Sequence, residues 1–290
     1  MKQIGLYIHI PFCVKKCNYC DFLSAPANIQ VLNSYMDVLH KEIRKKATAY
    51  KEDIVDTIFI GGGTPTLVPY EKLVQVIRCM KEEYHLSNTC EITMECNPGT
   101  VTKESLKAYK EAGINRLSIG LQSTDDELLK TLGRIHSYEQ FLETYQMARK
   151  VGFDNINVDI MSGLPNQTLK QYEDTLKKVV ALGVEHISAY SLIVEEGTPF
   201  FDSYEKEQLS LPKEDIERQM YYQTKEILEA AGYRRYEISN YAKKGYECRH
   251  NIRYWIRKEY LGLGLGASSL IQNVRYKNVE KLSTYLEDGY

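Results

Sequence analysis

Cys13, Cys17 and Cys20 fall within HIPFCVKKCNYCDF as C-x3-C-x2-C. They follow the strand-like run IGLYIHI, so their thiols should gather at the rim of the sheet that this strand joins. Structural zinc takes four closed ligands, and only His9 stands near enough to be a fourth, on a strand whose alternation can aim it elsewhere. Three thiolates on a cubic iron–sulfur cluster leave one iron without a protein ligand, an opening for a substrate or cofactor. Burial as plain thiols suits the loop less, because Lys15, Lys16 and Asn18 make it polar.

Other candidates stand where strand-like runs end. GGGTPT, Gly61 to Thr66, offers a backbone that a ligand can approach closely, or simply a tight turn. MECNP puts Glu95 at the end of the third strand-like run, IGLQS puts Gln122 at the end of the fourth, and NVDIMSGLP puts Asp159 near the end of the fifth. Single strand-end polar residues usually cap helices or bond nearby loops, but three in register point to a site. Arg134, after TLG, reads either as part of that site or as a solvated helix-end cation.

One rim can hold these residues only if the strands run parallel. Strand-like runs begin at Ile4, Asp56, Glu91, Arg116, Ile156 and His186. Between them lie helical patterns, such as Leu32, Tyr35, Met36, Leu39 and Ile43 on one face, with others near 70–85, 102–112, 138–151 and 168–182. Gly113, Gly152 and Gly183 stand where helices should close. The resulting six βα units predict an α/β fold, either an open barrel or a doubly wound sheet, with ligands at the strands' C-terminal ends. A further helix is expected from Pro212 to Ala231, before a tyrosine-rich region read as a second, smaller module.

Composition limits the partners. The 290 residues carry a net charge of −2, which gives no electrostatic footprint for nucleic acid. The opening MKQIGLYIHIPFC reads as neither signal peptide nor membrane span. Seven unevenly spaced cysteines argue for reduced thiols and a cytoplasmic location. Cys79, Cys90 and Cys96 fall in helix and strand patterns that predict burial.

With Tyr19 before its third cysteine, C-x3-C-x2-C resembles the signature of radical S-adenosylmethionine (SAM) enzymes. The resemblance implies a partial (β/α)6 barrel, here over 1–210, followed by a smaller α+β module over 211–290. It implies that Cys13, Cys17 and Cys20 ligate a [4Fe-4S] cluster whose open iron is chelated by SAM, which is cleaved to a 5′-deoxyadenosyl radical. YIHIPFC, LGRIHS and GLGLGAS are similar to the branch containing oxygen-independent coproporphyrinogen III oxidases and heme chaperones, from Tyr7 to about Ser269. That branch places Tyr7, Tyr19, Gly62, Gly63 and Thr64 around SAM. Glu95, Gln122, Arg134 and Asp159 complete the surroundings, some serving a second SAM; no catalytic residue is assigned.

Two places divide the branch. The oxidases carry a further cysteine two residues after the third, where this chain has Phe22. CRHNIRYW matches the chaperones' H-N-x-x-Y-W with His250, Asn251, Tyr254 and Trp255. The resemblance therefore implies a protein that binds heme and passes it to heme-accepting proteins, with an electron donor for the cluster. His250 is the implied iron ligand and Cys248 its competitor, with Tyr254 and Trp255 against the macrocycle and Arg249 and Arg253 at its propionates. Without the motif, His250 reads as a packed histidine bonded to a backbone carbonyl. The alternative function is oxidative decarboxylation of a porphyrinogen propionate. GLGLGAS lacks the long helix and acidic residue of a dinucleotide fingerprint, so its glycines are expected to pack the C-terminal segment against the rim, close to SAM. One last helix is expected at NVEKLSTYLEDG, where the branch continues into a longer helical part.

Overall fold

The computed structural model describes residues 2–290. The chain alternates β1 (Gln3–Ile10), α1 (Ile29–Ala47), β2 (Ile54–Gly62), α2 (Tyr70–Glu83), β3 (His85–Cys96), α3 (Lys103–Ala112) and β4 (Arg116–Gln122). Then come α4 (Asp126–Thr131), α5 (Tyr138–Val151), β5 (Ile156–Ser162), α6 (Leu169–Ala181) and β6 (His186–Ser191). The remainder forms α7 (Pro199–Glu205), α8 (Glu214–Ala230), β7 (Arg234–Arg235), β8 (Asn240–Ala242), α9 (Arg249–Trp255), β9 (Tyr260–Leu263), β10 (Ser268–Ile271), β11 (Val274–Lys277) and α10 (Leu282–Leu286).

Strands β1 to β6 pair in chain order and all in parallel, as helical crossovers require. Helices cover such strands, so their sequences lack strict alternation; β4 is buried at every position. Leu32, Tyr35, Met36, Leu39 and Ile43 are the buried stripe of α1. Reciprocal side-chain caps start α3, α5 and α6, at Thr102/Ser105, Ser137/Gln140 and Thr168/Gln171. Gly113 and Gly152 end α3 and α5 in the left-handed conformation that favours glycine.

The sheet does not close. Beyond β6 lie antiparallel β8 and β7, and beyond β1 lie parallel β9 and then β10 and β11. The fold is thus an α/β sheet of partial-barrel type. The strands after residue 211 extend both edges of this one sheet. These edge strands have two to four residues, too short to print a period-two pattern in sequence. No helix among the described residues is long and apolar enough to cross a membrane.

Candidate functional site

From the C-terminal end of β1 the chain enters the cysteine loop, and backbone bonds fix its course. Gly63 N donates to Ile10 O at 2.8 Å, Thr64 N to Phe12 O at 2.7 Å, and Cys13 N to Ala25 O at 3.2 Å. Asn18 ties the far side of the loop to α4, its side chain donating to Thr131 O at 2.9 Å. One cavity of about 140 Å³ results, lined by Cys13, Cys17, Tyr19 and Cys20 from this loop, by Gly62 at the end of β2 and by Gly63 and Thr64 after it. Glu95 and Gln122 near the ends of β3 and β4, Asp159 within β5 and Arg134 after α4 complete its wall. Tyr7 and His250 stand in an adjoining cavity of about 310 Å³, which shares Glu95 and Asp159 with the first.

The donor set fits a cluster with one open iron. All three thiols are free and half-buried. His9 does not join them, since its Nδ1 lies 3.0 Å from the Tyr7 hydroxyl and its Nε2 2.8 Å from Leu23 O. Among the described residues no three ligating side chains close on a single ion. A cube holds each thiolate on a different iron and needs no such point. The glycines are a backbone cradle: a Cβ on Gly63 would stand 2.6 Å from Phe12 O and 3.0 Å from Cys13 Sγ, and Gly62 adopts φ +115°. Gly63 is therefore required by the cysteine loop itself.

Electrostatics set the acidic side. Burial, reinforced by the nearby Asp159 charge, pushes the Glu95 carboxyl up to about 8 against one bond from Gly62 N at 3.0 Å. Burial also raises Asp159, although Asn157 donates to it at 2.7 Å. A positively charged ligand group would relieve both. Gln122 holds a left-handed backbone at φ 71°, where β4 shifts register, and accepts from the Tyr190 hydroxyl at 2.9 Å. Arg134 is no solvated cation: it donates to Gly120 O at 2.7 Å and Asn97 Oδ1 at 2.9 Å, with Nη1 3.8 Å from Cys17 Sγ.

Sequence reading missed Tyr190 and Asn97. Tyr190 stands one residue before the end of β6, so a search for polar side chains near the end of the sixth strand would have found it. Asn97 links two readings, donating to Thr64 Oγ1 at 2.8 Å while accepting from Arg134. Cys96 also lines the cysteine cavity, but its thiol faces Asn97 O at 3.7 Å and burial pushes it up to about 12.

A family model described as the radical SAM superfamily matches residues 7–179. The chain is 41% identical to a heme chaperone HemW of Bacillus subtilis, over 97% of this chain and 74% of that protein. It is 39% identical to the Escherichia coli protein of the same description, over 92% of this chain and 70% of that one. The chain belongs to the radical SAM superfamily, among the HemW proteins. Its fold resembles the solved coproporphyrinogen III oxidase HemN of Escherichia coli, with TM-score 0.86 over 99% of this chain and 69% of that one, at 24% identity. Radical SAM proteins hold a [4Fe-4S] cluster and SAM, the bound cluster supplying an electron to the sulfonium. In this member, the three cysteines share one cavity with the glycine backbone, Glu95, Gln122 and Asp159.

The H-N-x-x-Y-W segment folds as α9, whose first N–H groups, at Arg249 and His250, donate to Glu91 at 3.2 Å each. His250 is fully buried and both ring nitrogens are engaged, Nδ1 with Thr57 Oγ1 and Nε2 with the Tyr254 hydroxyl, each at 2.9 Å. Burial beside Arg253 pushes the imidazole down to about 3, so it is neutral. Cys248 is buried at Glu91, its thiol pushed up to about 11. Arg249 and Arg253 do not reach an open site. Arg253 pairs with Asp56 and donates to Glu259 O at 2.8 Å, and Arg249 donates to Thr89 O at 2.6 Å. Within GLGLGAS, Gly264 lies against β1, where a Cβ would meet His9 O at 2.6 Å. This segment borders a third cavity of about 580 Å³, next to the cysteine cavity and not within it. Phe22 lines all three cavities.

Proposed function

We propose that the protein is a heme chaperone, binding heme and passing it to heme-accepting proteins on a scaffold that carries a [4Fe-4S] cluster and SAM. The observation that carries this reading is the 41% identity, over 97% of the chain, to a protein described as a heme chaperone. Phe22 supports it, standing at the meeting of the three cavities where the oxidase resemblance calls for a cysteine. Cys13, Cys17 and Cys20 ligate the cluster. Tyr7, Tyr19, Gly62, Gly63, Thr64, Glu95, Gln122, Arg134 and Asp159 surround SAM, and an electron donor reduces the cluster. His250 ligates heme iron once Tyr254 releases Nε2.

The second reading is a coproporphyrinogen III oxidase, favoured by the likeness of fold to HemN. At 24% identity that likeness concerns fold alone. Anaerobic incubation of the reconstituted protein with SAM, reductant and either heme or coproporphyrinogen III separates the two. Heme occupancy followed by transfer to an apo-acceptor is expected. Sustained formation of protoporphyrinogen would overturn the chaperone reading in favour of the oxidase.

A further inference from the structure

The cavity of about 580 Å³ lies between the end of β1, the cysteine loop, α9 and the β10–β11 hairpin, and its volume falls in the range of small-molecule sites. Its walls are aromatic: Tyr7, Phe22, Tyr254 and Tyr260 all border it. Tyr254 and Tyr260 pack edge to face, with ring centroids 4.6 Å apart and planes at 81°, which braces one wall. Phe22 is 62% exposed, a large apolar surface standing in water beside this space.

Charge separates this cavity from its neighbours. Glu95 and Asp159 line both of the other two, each facing cations across the same space. Here no Asp or Glu among the described residues lines the wall, whereas Arg257 and Arg275 both do. Arg257 follows α9 in a left-handed backbone at φ 53° and donates to Asn273 Oδ1 at 2.7 Å, which holds it on the hairpin side. Arg275 stands on β11 opposite Leu270, another wall residue. An aromatic pocket with two guanidinium groups and no carboxylate matches a flat apolar ligand bearing two acidic groups, since guanidinium binds carboxylate bidentately.

We propose that this cavity seats the heme macrocycle against Phe22, Tyr254 and Tyr260, with its two propionates on Arg257 and Arg275. The inference rests on the heme-binding reading and assigns it a place and a charge requirement. The seat lies on the outer side of Tyr254, whose hydroxyl holds His250 from the inner side. The Tyr254 ring, which lines both this cavity and the one holding His250, therefore stands between the seated macrocycle and the imidazole.

The test titrates the cluster-reconstituted protein with heme and with heme dimethyl ester, which keeps the ring and removes both charges. The wild-type protein is expected to bind heme about tenfold more tightly than the ester, as charge-assisted bonds require. Arg257→Ala/Arg275→Ala, at two exposed positions, is expected to bind heme about tenfold more weakly. Its ester affinity should stay at the wild-type value, and the cluster absorption should not change. A variant that still distinguishes heme from ester, or a wild type that never does, overturns the seat while the heme reading stands. Failure of the wild type to bind either compound overturns both.

Discussion

The Nε2 atom of His250 and the hydroxyl of Tyr254 lie 2.9 Å apart on successive turns of α9. With Thr57 on Nδ1, this bond leaves the imidazole no free nitrogen, so the tyrosine controls access to the histidine. Tyr254→Phe is expected to cost about 1–3 kcal/mol of folding stability, because a buried nitrogen loses its partner. It should keep heme binding and shift the Soret band toward histidine ligation. Adding His250→Ala should reverse that shift. A Tyr254→Phe spectrum identical to wild type would remove His250 as an iron ligand.

Cys13, Cys17 and Cys20 line one cavity, and their joint replacement by alanine is expected to abolish the cluster's iron, sulfide and visible absorption. Cys79→Ala, Cys90→Ala and Cys96→Ala should each keep a full cluster. Cys96 is the strictest control because it lines the same cavity, yet its thiol stays protonated. Iron analysis after anaerobic reconstitution decides the matter.

Gly63→Val is expected to lose the cluster as well as SAM binding. Any Cβ there meets the backbone of Phe12 and the sulfur of Cys13, so the substitution displaces the cysteine loop. A folded Gly63→Val protein with a stoichiometric cluster would show that the loop can yield.

Glu95 makes the cofactor-free protein sensitive to pH. Its carboxyl is pushed up to about 8 in the folded chain by burial and by Asp159, against an ordinary value of 4.5. The folded state then binds more protons than the unfolded state between these values. Stability from this group is full below 4.5 and declines as pH rises through 8. Asp159, also raised, acts in the same direction. Glu95→Gln should flatten the dependence and raise the melting temperature at alkaline pH by about 5 °C. It should also weaken SAM binding, by isothermal titration, because a neutral amide cannot balance a cationic ligand. A melting profile unchanged between the two proteins from pH 5 to 9 would refute the assignment.

Much of this arrangement was legible in the sequence because it is local. The three cysteines, the glycine run and the polar strand ends announce themselves by spacing, and six parallel βα units carry strand ends to one rim. The α3, α5 and α6 boundaries likewise rest on caps within a few residues of each helix. The two-to-four-residue strands β7 to β11 left no periodic trace, and only pairing with a distant strand gives them a place.

What the sequence by itself determined was the alternation of strands and helices, the gathering of the three cysteines at one rim, and the family. Tertiary structure alone decided which charges remain available. CRHNIRYW offers a histidine and two arginines in one short run, yet folding commits Arg253 to Asp56, Arg249 to Thr89 and the imidazole to Thr57 and Tyr254. Arg257 and Arg275, unremarkable in the sequence, meet across one cavity because β9 docks in parallel beside β1 and the β10–β11 hairpin folds back beside it. A buried polar group must find a partner wherever the fold puts one, and those partners lie far away in the chain, where no local pattern can reveal them.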